Sequence, residues 1–289
     1  MTRVSRSTVL GLAIAFVSVA GFVTAISEDS PPDLIAQADL AYTTRYLEES
    51  MTQAIALLES VVPELSTLSL QEQTHVLNRL SQLCYEATVF SEGGDTPEDE
   101  KLYQKGKAYG LQSLRLDPVF VEAERTGFAE AVSLSTNVAG LHWTASNWGK
   151  IGGMNPLQGF MYQKKILALF SRTVEVDPEY WGASASASLG SLLIMSPATL
   201  GGDKESGLAL VEDSIALAPT YLSNHLILAE YWGFTYGYFG QLTGIRDAEL
   251  VEREVAYVLE SDTEDWPFWN PHAKKQAADL LAQLHDMLD

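Results

Sequence analysis

The sequence predicts an all-α protein built as a solenoid of tetratricopeptide-like helical hairpins, about five of them, closed by a C-terminal capping helix. Three observations carry that expectation. The segments Ser113-Leu-Arg-Leu-Asp-Pro118, Thr173-Val-Glu-Val-Asp-Pro178 and Ser214-Ile-Ala-Leu-Ala-Pro219 share one ending. Proline cannot continue a helix and biases the residue before it away from helical geometry, so each string closes a helix at the same phase. Gly106, Gly110 and Ser113 fall at i, i+4 and i+7, and Gly207 and Ser214 repeat the first and last of those places, which marks close helix contact. No long segment alternates as a strand should.

Taken in chain order, Arg3 and Arg6 precede the apolar run Val9 to Val23, and Val23-Thr24-Ala25 offers small residues for cleavage. Residues 1–25 therefore read as an export signal, with 26–289 as one all-α domain. About fifteen apolar residues at ~1.5 Å each fall short of the ~30 Å hydrocarbon core, so the run becomes a membrane anchor only if residues 9–26 stay uncleaved. Helices are expected near 33–47, 50–62, 70–90, 97–116, 119–150 (with a break), 158–176, 179–195, 203–217, 221–239, 246–261 and 271–288. Ser69 with Glu72 forms a capping box, and Thr96-Pro97 and Asn270-Pro271 place a cap before an N1 proline. Leu189-Gly190 stands where the first helix of a tetratricopeptide unit carries such a pair. Gly190 and Pro219 lie about five residues farther apart than a 34-residue motif would set them, and the excess falls in the loop Pro197-Ala-Thr-Leu-Gly-Gly-Asp-Lys204.

Charge excludes one class of partner. With 18 Lys and Arg against 38 Asp and Glu, the chain has a formal net charge of −20. Affinity for phosphate backbones needs clustered cations, so nucleic acid is not a partner. The single cysteine, Cys84, sits in the apolar-periodic segment His75 to Phe90 and reads as a buried small hydrophobe. The five histidines show no metal-ligand spacing, and no cofactor motif is present.

The glycine pair of the long loop does not make a phosphate site, because the P-loop spacing is missing and Asp203 already places an anion at the helix start. Asp203 reads as the N-cap, with Gly201 or Gly202 supplying a positive φ. In Leu141-His-Trp-Thr-Ala-Ser-Asn-Trp-Gly149, helical spacing puts Trp148 with Leu141 and Ala145 on one face, as core, and Trp143 with Asn147 on the other. Trp143 either packs against the next hairpin or lines a groove. All six tryptophans, 143, 148, 181, 232, 266 and 269, lie in the second half, so an apolar cavity belongs there. The segment Ser223 to Phe239 adds Glu230, Tyr231, Trp232 and Tyr236. The candidate ligand or partner residues are thus Trp143, Asn147, Glu230, Trp232 and Tyr236. Nucleophilic catalysis has no motif, and an acid/base reading through Glu230 needs His225 or His142 within hydrogen-bond reach.

Taken together, Leu141 to Gly149, Val176-Asp-Pro-Glu-Tyr180 leading to Leu189-Gly190, and Pro197-x-x-Leu200-Gly-Gly-Asp203 resemble the T-component, or TatT-type, lipoproteins of tripartite ATP-independent periplasmic (TRAP) transporters. The resemblance covers most of residues 35–288. It implies a non-enzymatic periplasmic protein without cofactors, associated with the substrate-binding protein of a TRAP system. It also implies a channel for an apolar or small organic-acid ligand, and leaves a homo-oligomer, a trimer included, open. The chain departs from the family in lacking an N-terminal lipidation cysteine. The other reading is a general helical scaffold for envelope assembly.

Overall fold

The computed structural model describes residues 29–91, 95–237 and 240–289. The export signal read at 1–25 lies outside them. The described chain is helical apart from one short β-hairpin. Its hairpins are α1 (Pro31–Thr43) with α2 (Glu48–Val61), α3 (Leu70–Glu86) with α4 (Pro97–Leu114), and α7 (Val138–Met154) with α8 (Pro156–Val176). Two more follow, α9 (Tyr180–Met195) with α10 (Lys204–Leu217) and α11 (Ser223–Gly233) with α12 (Ala248–Glu260), before the terminal α13 (Trp269–Leu288). Two short helices, α5 (Pro118–Glu124) and α6 (Phe128–Leu134), link the second hairpin to the third.

Local chemistry sets most helix starts. Ser69 with Glu72 and Thr96 with Asp99 form reciprocal capping boxes, and Asp117, Asn137, Asn155 and Asp247 each accept a backbone N–H in the first turn they precede. In the long loop, Gly201 adopts φ 88° and Asp203 accepts from the Ser206 N–H at 3.1 Å, so the glycine pair turns the chain and the acid caps α10. Gly202 has no room for a side chain, since a Cβ would stand 1.8 Å from the Ser196 carbonyl oxygen.

Four boundaries differ from the sequence expectation. The span 119–150 breaks into three helices, because the Asn137 side chain caps α7 and Arg172 binds the Ser135 carbonyl, fixing the chain between α6 and α7. The helix expected over 221–239 stops at Gly233, whose carbonyl accepts from both Arg246 and Asp247. Strand β1 (Phe234–Tyr236) then pairs antiparallel with β2 (Leu242–Ile245). Strands of three and four residues are too short to show a period of two. Asn270 does not cap the last helix, which begins one residue earlier; its amide is taken by the turn before α11, through the Leu222 N–H and the Thr220 carbonyl. Finally, α9 opens with a left-handed turn, Trp181, Gly182 and Ala183 at φ 52°, 64° and 56°.

The small-residue stripes mark the close crossings. Gly106 receives the Asn147 amide of α7, and Gly110 meets Thr144 and Ser81. Gly190 and Gly207 face each other across α9 and α10. A Cβ on Gly190 would lie 2.5 Å from the Gly207 carbonyl oxygen and 2.7 Å from Val211 Cγ2, so Gly190→Ala must spread the two helices. We expect a loss of about 1–3 kcal/mol in urea unfolding, despite the ~1 kcal/mol that alanine gains over glycine inside a helix. Gly149→Ala on α7, where nothing lies within 4 Å of the added carbon, should be neutral or stabilising.

The hairpin series curves until its last part meets its first. Phe268 lies 6.3 Å from the Phe90 ring and 5.2 Å from the Arg45 guanidinium, and Trp269 lies 6.1 Å from Tyr85. Phe268, Trp269, Trp143 and Tyr221 consequently share one hydrophobic core with α1 to α3. Instead of only covering an exposed end, α13 helps to close the concave side.

Candidate functional site

The concave side encloses a cavity of about 500 Å³. The first helix of each later hairpin turns one face toward it. On α7 that face runs His142, Trp143, Ser146, Gly149, Lys150 and Gly153; on α9 it is Ser184, Ser188 and Ser191; on α11 it is Ser223, Leu226, Ile227, Glu230 and Tyr231. These spacings follow the 3.6-residue period. Trp269, His272 and Gln276 of α13 and Tyr85 of α3 complete the enclosure. A smaller cavity of about 210 Å³ lies beyond the turn before α11, where the Asn270 amide is already engaged.

Trp143 anchors an aromatic wall. It is 2% exposed, its ring centroid is 5.7 Å from Tyr85 and 5.1 Å from Trp181, and its indole N–H donates to the Tyr180 hydroxyl at 3.2 Å. The left-handed turn swings Trp181 into this wall, between Trp143 and Trp266. Non-glycine residues held at positive φ cost about 1–3 kcal/mol each and persist only where the surroundings fix them. Here Asn224 Nδ2 donates to the Gly182 carbonyl at 2.9 Å, and Gly182 lies against Tyr221 so closely that a Cβ would approach Tyr221 Cγ to 2.7 Å.

Polar side chains make up about half of the lining, and three of them are charged, Asp95, Lys150 and Glu230. Lys150 Nζ stands 3.5 Å from both Asp95 carboxylate oxygens, a long contact, and its side chain keeps 42% of its exposure. Burial opposes the ammonium, but Tyr85, Asp95 and Glu230 together hold its pKa above the ordinary lysine value. Asp95 also accepts from the Tyr103 hydroxyl at 2.8 Å. Burial pushes the Glu230 carboxyl up, against the pull of Lys150. Among the described residues, no hydrogen bond to the Glu230 carboxylate is formed; the Tyr236 hydroxyl reaches only the Glu230 backbone oxygen. The Glu230 charge, with burial, drives the Tyr231 hydroxyl far above its usual range. His142 is 3% exposed, and burial lowers its pKa to about 3, so it is neutral.

The sequence candidates are not all brought together. Trp143 and Glu230 line the cavity. Asn147 is fully buried toward α3 and α4, donating to the Ser81 and Trp143 carbonyls at 2.9 and 2.8 Å. Trp232 lies outside the cavity under the Arg246 guanidinium, 4.5 Å from the ring. Tyr236 packs behind the wall, 6.1 Å from Tyr231, and Phe239 is outside the described residues. Trp148 belongs to a second core cluster with Leu141 and Ala145. Sequence reasoning missed Lys150, Trp181, Trp269 and the serine face of α9. Lys150 was within reach of the helical period, seven residues beyond Trp143.

Among the described residues, neither His225 nor His142 pairs with Glu230. His225 Nδ1 bonds Glu254 at 2.7 Å, while His142 Nε2 meets only the Ser184 hydroxyl at 3.5 Å and its Nδ1 has no partner. Among the described residues, no group of three His, Cys, Asp or Glu side chains could hold a metal ion, and no helix is long and apolar enough to cross a membrane.

Fold and site define a helical-hairpin protein with an aromatic cavity on its concave side. The chain belongs to the TRAP transporter T-component family, whose model matches residues 98–288, from the first turn of α4 to the end of α13. No curated protein matches the chain.

Proposed function

We propose that the protein is a non-enzymatic periplasmic component of a TRAP system that docks on the transporter's substrate-binding protein and holds a small ligand in its concave cavity. The observation that carries this reading is the cavity of about 500 Å³, a size at which small-molecule sites occur, walled by Trp143, Trp181 and Trp269 and provided with one cation, Lys150. The aromatic wall suits an apolar body and Lys150 an organic-acid group. Family membership supports the transporter context. The acidic surface, net charge −20, steers a basic face of a partner and repels polyanions. Export through residues 1–25, and a homo-oligomer such as a trimer, belong to the same proposal.

The test uses the full chain and a TRAP substrate-binding protein from the same genome. Calorimetry or co-elution should detect a stable complex, and mass spectrometry of denatured protein should release a small molecule. If no complex forms and nothing is released, the general envelope-scaffold reading takes its place.

A further inference from the structure

The cavity contains three charged side chains that do not balance. Lys150 is the one cationic side chain of the wall apart from the histidines, and it faces two carboxylates, Asp95 and Glu230. His142 is neutral through burial, and burial with the charges of Lys150 and Lys275 also lowers His272. Asp95 is already served by the Tyr103 hydroxyl and by the long contact to Lys150. The Glu230 carboxylate, half-buried in the cavity, has no hydrogen-bond partner among the described residues. Lys150, for its part, carries three N–H donors and makes only contacts of 3.5 Å. Among its charged groups the cavity thus leaves one acceptor and one donor unmet, of opposite charge; the Trp181 and Trp269 indole N–H groups and His142 Nδ1, also on the wall, lack partners as well.

A ligand carrying only a carboxylate would satisfy Lys150 and add a further negative charge near Glu230. A ligand carrying only an ammonium would satisfy Glu230 and leave Lys150 as it stands. On the serine face of α9, Ser191 already donates to the carbonyl of Ser188 and Ser184 meets His142, which leaves the uncharged Ser188 hydroxyl for a further polar contact. Around these groups stand Tyr85, Trp143, Trp181, Tyr221 and Trp269, which suit an apolar body. The geometry points to a zwitterionic amino acid with an apolar or aromatic side chain as the ligand, its ammonium bound by Glu230 and its carboxylate by Lys150. This inference rests on the ligand-holding reading above and narrows it from an organic acid to an amino acid.

Isothermal titration of the full chain with L-phenylalanine, L-leucine, 3-phenylpropanoate and 2-phenylethylamine tests it. At least one amino acid should bind about tenfold or more tightly than either single-charge analogue, as expected for one extra charge-assisted hydrogen bond. Glu230→Gln should remove that advantage without weakening 3-phenylpropanoate, whose carboxylate loses a like charge nearby, and Lys150→Met should weaken the amino acid and the acid but not the amine. Circular dichroism confirms that both variants fold. Equal binding of the analogues, or tightest binding of 3-phenylpropanoate, overturns the amino-acid assignment and leaves the ligand-holding reading standing. If none of the four binds while the substrate-binding protein still forms its complex, the amino-acid assignment fails and the docking reading survives. Absence of both removes the two together.

Discussion

Replacing Trp143 by alanine is expected to destabilise the protein by about 3–5 kcal/mol, the range for deleting a buried tryptophan. For a domain of this size the melting temperature should fall by roughly 6–20 °C in calorimetry. The indole is enclosed by Tyr85, His142 at 4.7 Å and Trp181, and its N–H is satisfied by Tyr180. Removing it also withdraws one side of the packing that holds Trp181 in its left-handed turn, so the strain at Trp181 and Ala183 is no longer offset. Trp143→Phe retains most of the contact area and should lose less than half as much. A loss below about 1 kcal/mol for the alanine variant would mean that Trp143 serves only as a cavity wall, because a core indole cannot be deleted so cheaply.

Features decided within one turn of chain were the legible ones. Ser69 with Glu72, Thr96 with Asp99 and Asp203 all act within three residues, and each starts the helix its chemistry favours. The Gly190 and Gly207 crossing was also visible, because small residues at helical spacing have few uses other than close approach. Features decided by distant neighbours were not. Nothing local marks Trp181 for a left-handed conformation, which depends on Tyr221, Asn224 and Trp143. The helix after Ser223 looks continuous until the Gly233 carbonyl is claimed by Arg246 and Asp247 from beyond the β-hairpin. On α7 the error was angular. At about 100° per residue, Asn147 sits ~40° to one side of Trp143 and Lys150 ~20° to the other. That difference sends Asn147 into the crossing with α4 and Lys150 into the cavity.

Acidification should weaken the fold from about pH 6.5 downward, and His142 is the principal cause. Burial lowers its pKa to about 3 in the folded state, whereas in the unfolded chain it titrates near its ordinary value of 6.5. Between those limits the unfolded state binds a proton that the folded state excludes, so stability rises with pH there. The slope approaches ~1.4 kcal/mol per pH unit, and the contribution is complete above pH 6.5. Burial, with Lys150 and Lys275 nearby, lowers His272 as well, so it acts in the same direction. Glu230 acts in the opposite sense, because burial raises its pKa and its protonation accompanies folding. Glu254, Asp99 and Glu124 have lowered values, and their contributions are lost as pH falls from the ordinary carboxylate values through those lowered ones. Burial raises the Glu86 carboxyl too, so the difference between wild type and a histidine variant, in which Glu230 and Glu86 act alike, isolates the histidine over pH 5 to 6.5. Urea unfolding at pH 5.0, 5.75 and 6.5 should show the wild-type slope, and His142→Gln should flatten it even if the variant is less stable throughout. An unchanged slope in that variant would move the effect to His272, for which His272→Gln is the corresponding measurement. Because His142 lies on the cavity wall beside Trp143, a proton forced onto it would also place a charge against the aromatic surface that the proposed ligand uses.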